Sequence, residues 1–202
     1  MHIFKNIILS IVLTFAILIP IQANGEQKIA DFANNTADKI ISVIKSNYSN
    51  EEKQEKLIAI FHQSVDIDWM GKFALGKYYH TLSKEQLNEY LIAYREFLTS
   101  IYVSKFTEYN GQGLYIESIK RLSASQYILN TKVGNLKSSM GQSNIAYRIK
   151  DFGNKCQIRD IIAEGLSIIL GQRSDFHSII SSKGIDDLIQ RLKDKGKGRN
   201  VN

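Results

Sequence analysis

The hydrophobic period of the chain changes at Gly111-Gln112-Gly113, and that change limits the fold more than any other feature. Ahead of it, apolar residues recur at three- and four-residue steps, the spacing of one face of a helix; beyond it they alternate, the spacing of one face of a strand. From Gln27 to Asn47, Ile29, Phe32, Thr36, Ile40, Val43 and Ile44 mark an amphipathic helix. Ser49 with Glu52 forms a capping box for a second helix through Leu57, Ile58 and Phe61. Asp66 is placed to cap a short third helix carrying Trp69, Met70 and Phe73 and stopping near Gly76. Ser83 with Gln86 opens the longest helix, striped by Leu87, Tyr90, Leu91, Tyr94, Phe97, Leu98, Ile101, Tyr102 and Phe106.

Past the glycines, strands are expected near 114–122, 126–134, 142–152 and 155–163, separated by Gly, Ser and Asn. Ile145, Tyr147 and Ile149 share one face of the third, while Asn144, Arg148 and Lys150 share the other. Such alternation belongs to an antiparallel sheet with one covered face. Helices around 173–182 and 186–192, with Gly184 between them, close the chain. Helices, a meander and helices again give an α+β domain over residues 24–192, and nothing resembling a Pro-rich linker divides it.

The N-terminus reads as a targeting segment. His2 and Lys5 precede an apolar run from Ile7 to Ile19, followed by Pro20-Ile21-Gln22-Ala23, the pattern of a secretory signal peptide cut near Ala23. Its removal takes away Lys5 and lowers the net charge from +6 to +5. The last ten residues, 193–202, hold Lys193, Lys195, Lys197 and Arg199 against Asp194 and read as a basic flexible tail. The folded body is left near neutrality, so the basicity of the whole chain is a poor pointer to nucleic acid. With one cysteine, no intrachain disulfide can form.

No enzyme constellation emerges. His62, His80 and His177 are isolated, without a partner ligand at helical spacing, and no metal or other cofactor is expected. Cys156 reads as a small core residue. Asp66 and Asp68 favour the helix N-terminus they precede. Asp160 and Glu164 are expected to share a strand face and to pair structurally. Ser167, in Glu164-Gly165-Leu166-Ser167, lacks the second glycine of a nucleophile elbow. What remains is a surplus of large apolar and aromatic side chains on a long helix and on the strands. Tyr90, Tyr94, Tyr102, Tyr127 and Tyr147 join an apolar body to a polar tip, as suits the rim of an apolar cavity.

The run VDIDWMGKFALGKYYHTLSKEQLNEYLIAYREFLTSIYVSKFTEY, Val65 to Tyr109, and the run RDIIAEGLSIILGQRSDFHSIISSKGIDDLIQRL, Arg159 to Leu192, resemble the MlaC family, also called toluene-tolerance auxiliary proteins. The matching positions include Asp160, Glu164-Gly165-Leu166-Ser167, Arg173-Ser174-Asp175-Phe176 and Gly184-Ile185-Asp186-Asp187-Leu188-Ile189. Cys156 and Gln172 depart from the family pattern, and both bear on the shape of a pocket. The resemblance implies a curved antiparallel sheet of about four to five strands covered by helices, with phospholipid tails held in an apolar pocket between the layers. It further implies a periplasmic carrier working between an outer-membrane lipoprotein complex and an inner-membrane ABC transporter with its substrate-binding ring, in the service of outer-membrane lipid asymmetry. On this reading the wall is supplied by Phe97, Leu98, Ile101 and Tyr102 on the helix, Tyr127, Leu129, Tyr147, Ile149, Ile158 and Ile162 on strands, and Leu166 and Phe176 after them. Trp69 and Phe73 either close the mouth or pack the core. The rival reading is an exported binding module for an anionic partner, nucleic acid or an acidic membrane surface, with no lipid pocket.

Overall fold

The computed structural model describes residues 21–107, 111–134 and 142–198. Of the expected signal segment, residues 1–23, the first twenty lie outside them, as do the last four residues of the expected tail and the side chain of Phe106, whereas residues 21–23 fall in the first helix. Four helices come first: α1 (Ile21–Lys45), α2 (Asn50–Ser64), α3 (Ile67–Leu75), continued by a 3-10 turn (Gly76–His80), and α4 (Lys84–Thr107). Five strands follow, β1 (Gly113–Ser123), β2 (Gln126–Gly134), β3 (Ser143–Asp151), β4 (Cys156–Ala163) and β5 (Leu166–Ser167), then α5 (Ile168–Lys183) and α6 (Ile185–Gly196). The strands lie in chain order in one open sheet, each antiparallel to the next. This is the expected α+β architecture. No helix among the described residues is long and apolar enough to cross a membrane.

Local chemistry explains the helix starts. Ser49 Oγ accepts from Glu52 N at 3.2 Å while Ser49 N donates to Glu52 Oε2 at 2.9 Å, so two of the otherwise unpaired amides of α2 are satisfied. The Ser83–Gln86 pair does the same ahead of α4, at 3.2 and 3.1 Å. Asp66 departs from expectation. It occupies the position before α3 without any side-chain capping bond, and its carboxylate instead takes Arg159 Nε at 2.8 Å. A half-buried guanidinium is a stronger donor to a carboxylate than a neutral amide, so the ion pair wins. Asp68 likewise faces a cation, Arg95, at 2.5 Å.

Three elements run longer than their periodicity indicates, the first of them α1, which begins at Ile21 and not at Gln27. α5 starts at Ile168, five residues early, because Ser167 caps it through Leu170 N at 3.2 Å. α6 continues to Gly196, so the tail begins later than residue 193. Its buried residues Ile185, Leu188, Ile189 and Leu192 recur at helical spacing against α4, and Lys193 Nζ meets Glu89 Oε1 at 2.5 Å. β5 is a two-residue strand that alternation could not show. Glu164 (φ 48°) and Gly165 (φ 82°) make the tight turn before it, where both residues need the left-handed region. Glu164 therefore sits in a turn, where its carboxylate accepts from Asn144 N at 2.9 Å, and not on a strand face with Asp160.

His62 on α2 bonds Thr99 Oγ1 of α4 at 2.8 Å through Nε2. Burial, reinforced by Arg95, holds its pKa below the ordinary 6.5. A base whose folded pKa is lowered takes up its proton more readily in the unfolded chain. Stability is therefore expected to fall as pH drops through 6.5 towards the folded value, and to level off below it. Urea midpoints between pH 7.5 and 5 should show that slope, and His62→Gln should flatten it.

Candidate functional site

Two buried apolar clusters fill the fold. The larger is helical and holds Leu57, Phe61, Met70, Leu75, Tyr90, Tyr94, Phe97, Leu98, Phe176, Leu188 and Leu192 among others. The smaller joins α1 to the sheet through Ile29, Ala33, Tyr127, Leu129, Ile149 and Cys156. Ile158 packs against both, Tyr102 lies on the helical side and Tyr147 on the sheet side. These three, only partly buried, mark a seam between the layers.

The register explains which strand residues face α1. Tyr127 opposes Ile149, which opposes Ile158, and Leu129 opposes Tyr147, which opposes Ile161. Directly opposed residues share a face. Arg159 has no partner in this ladder, since Arg148 pairs with Asp160 and Ile149 with Ile158. A bulge of one residue reverses the facing of everything beyond it. Ile158 and Ile162, expected on one wall, therefore stand on opposite faces, and Ile161 takes the place assigned to Ile162. No residue type in the strand announces this bulge.

The other assigned residues divide by environment. Phe97, Leu98 and Phe176 are core, with Leu98 fully enclosed. Tyr127, Leu129 and Ile149 form the inner sheet surface beneath α1, whose approach is so close that a Cβ on Gly25 would lie 2.3 Å from the Tyr127 hydroxyl oxygen. Ile101 is 38% exposed and stands at the surface of α4. Leu166 is a correction: at 76% exposed it belongs to no wall, because the β4–β5 turn lifts it into solvent. Trp69 and Phe73 stack on one another with ring centres 5.0 Å apart, and each carries a guanidinium, Arg159 on Trp69 at 4.6 Å and Arg173 on Phe73 at 4.9 Å. Both aromatics pack against the helical core while facing cations at its edge.

The interior is electrically quiet. Burial raises the phenols of Tyr90, Tyr94, Tyr102 and Tyr147, and Tyr102 is pushed up to about 12, with smaller contributions from Asp160 and Tyr147. All four stay neutral at any physiological pH. The Tyr90 hydroxyl donates to Gly71 O at 3.0 Å and that of Tyr94 to Gln172 Oε1 at 2.7 Å. Gln172, one of the two departures from the family pattern, thus supplies an acceptor for a buried phenol. Cys156, the other, is buried in the sheet cluster with its thiol pKa raised by burial, the state of an unreactive core residue.

Asp160 is 2% exposed and spends both oxygens on the start of α5, with Ser167 Oγ donating to Oδ2 at 2.7 Å and Ile169 N to Oδ1 at 3.2 Å. Its role is to pin α5 to β4. Among the described residues, no group of three or more His, Cys, Asp and Glu side chains gathers in metal-binding geometry. A separate groove of about 550 Å³ lies between α1 and α2, lined by Asp38, Lys39, Val43, Lys56 and Ile60 among others and open to solvent.

The family model described as "MlaC protein" matches residues 34–194. A protein of Haemophilus influenzae described as an intermembrane phospholipid transport system binding protein, MlaC, is 26% identical over 194 residues, covering 92% of this chain and 90% of its own length. The toluene tolerance protein ttg2D of Pseudomonas putida is 21% identical over 173 residues, covering 83% of this chain and 80% of its own. Among solved structures, a phospholipid-binding protein of Ralstonia solanacearum in complex with a phospholipid superposes with a TM-score of 0.70 at 17% identity. That match covers 83% of this chain and 96% of the other and speaks to the fold.

Proposed function

Because the chain belongs to the MlaC family, we propose that it is a periplasmic phospholipid-binding carrier that moves phospholipid between membranes without acting on it chemically. The observation that carries this reading is the seam formed by Ile158, Tyr102 and Tyr147 between two apolar clusters, one built on helices and one on the sheet. Tails entering there would meet apolar surface on both sides, with neutral phenols at the edge. The phospholipid named for the Haemophilus influenzae and Ralstonia solanacearum relatives is the ligand such an interior fits.

A diacyl lipid with roughly 30 methylenes resists transfer from bilayer to water by on the order of 20 kcal/mol, at about 0.8 kcal/mol per CH₂. A carrier does not need that figure as net affinity. It needs an interior about as apolar as the bilayer, so that exchange at a docked membrane complex is close to neutral and the docked partner sets the direction. The cargo role also accounts for the layering, since two clusters meeting at a partly buried seam can part with less loss than one continuous core. The partners proposed from the family are an inner-membrane ABC transporter with its substrate-binding ring and an outer-membrane lipoprotein complex, and the purpose is to maintain outer-membrane lipid asymmetry.

Native mass spectrometry of the protein purified from the periplasm of a Gram-negative host is expected to show a phospholipid adduct that persists in high salt. Uniformly lipid-free protein, unable to extract labelled phospholipid from vesicles, would overturn the reading.

A further inference from the structure

The face of the sheet turned away from α1 carries charge that the carrier interior does not use. The register places Lys120, Ile128 and Arg148 in one cross-strand row, Tyr115 beside Lys132 in another, and Lys150 beside Gln126 in a third. Lys132 is paired with Glu117 at 2.7 Å. Asp160, opposite Arg148, is buried in its bonds to α5. Among the described residues this leaves Lys120 and Arg148 without an ion-pair partner, while the ammonium of Lys150, half-buried, meets Ser125 Oγ at 2.5 Å and lies near Asp151. α1 lies on the opposite side of the sheet, with Ile29 and Ala33 against Tyr127 and Leu129.

At the β3–β4 end of the same face stands Phe152, 40% exposed, with Lys150, Lys155 and Arg159 around its ring at 5.9, 5.5 and 5.2 Å. An exposed aromatic ringed by cations beside a field of lysine and arginine is the composition of a surface that rests at a lipid headgroup layer. Lys120 and Arg148, two strands apart, stand about 10 Å from each other. That is close to the Debye length of about 8 Å at physiological salt, so their attractions to a charged plane add. A protein partner would normally be met by a buried apolar centre within a polar rim. Here the middle of the face holds Ile128 and Ala146, with Ile162 beside Ala146 on β4, between charged and polar neighbours, and the charge is spread over several strands.

We propose that the outer face of β1–β3, with Phe152 at its edge, is a docking surface for an anionic phospholipid bilayer. The choice of a bilayer as occupant rests on the carrier reading; the charged face itself does not. Docking in this orientation holds the protein against a membrane by its sheet and leaves the helical side free.

The test is co-flotation of the signal-free chain with vesicles of phosphatidylglycerol and phosphatidylcholine, and with phosphatidylcholine alone, at low and high salt. Binding is expected only to the anionic vesicles, weakening with salt. Lys120→Glu with Arg148→Glu should lower the partition coefficient at least about tenfold, and Phe152→Ala should lower it by a smaller factor. Native mass spectrometry of the same variants should find their lipid cargo unchanged, so a failure of docking is distinguishable from a failure of the carrier reading. Absence of binding to anionic vesicles at low salt overturns the proposal, as does binding that survives the double reversal but is lost in Lys195→Gln/Lys197→Gln/Arg199→Gln. A face that holds a single-stranded oligonucleotide while ignoring vesicles overturns it in favour of nucleic acid.

Discussion

Asp160→Ala is expected to lower the unfolding free energy by about 3 kcal/mol, read as a shift of the urea midpoint. The carboxylate is almost fully enclosed and accepts one hydroxyl and one backbone amide, from Ser167 and Ile169. Bonds to a charged acceptor contribute about 1.5–3 kcal/mol each, and truncation also leaves Ile169 N without a partner away from water. The loss falls on the join between β4 and α5, so the first turn of α5 should show the earliest gain in amide exchange. Asp160→Asn keeps an acceptor for Ile169 N and should cost less than half as much. Equal effects of the two substitutions would show that the capping geometry is not what the buried carboxylate supplies.

Leu98→Ala and Ile101→Ala are expected to separate core packing from the proposed lipid contact on a single helix. Leu98 has no exposed surface, and removing its side chain should cost about 2–5 kcal/mol through lost burial and the cavity left behind. Ile101, three residues on, is 38% exposed, so the same truncation should cost less than about 1 kcal/mol. Lipid retention should move the other way. If Ile101 flanks the path by which tails reach the seam beside Tyr102, its truncation reduces the phospholipid adduct in native mass spectra while stability holds. Leu98→Ala, once folded, should retain its lipid. An Ile101→Ala protein with a full complement of lipid would remove Ile101 from the wall.

The division between those two residues was not legible in the sequence, where both belong to one apolar stripe. Periodicity states that a side chain lies on the inner face of α4, and the exposure of Ile101 near the end of the helix depends on where its neighbours stop. The strand residues show a related limit. Tyr127, Leu129, Tyr147 and Ile149 were readable from simple alternation, and the sheet places them together. Ile162 was not, because an unpaired Arg159 shifts the facing of the rest of β4. That bulge also brings the Arg159 guanidinium to Asp66 and Trp69, drawing the carboxylate away from the helix cap that local rules assign to it.

By itself the sequence determined the order of the elements apart from β5, the two capping boxes, the α+β class and the kinship to a lipid-carrying family. All of these rest on local spacing, and local spacing is written in the chain. Only the tertiary structure decided that the apolar residues divide into two clusters meeting at Ile158, that Leu166 stands in solvent, and that Lys120, Arg148 and Lys150 share the face turned away from α1. These follow from strand register, one bulge and a two-residue turn. Each is a relation between residues distant in sequence, set by backbone hydrogen bonds that carry no side-chain signature.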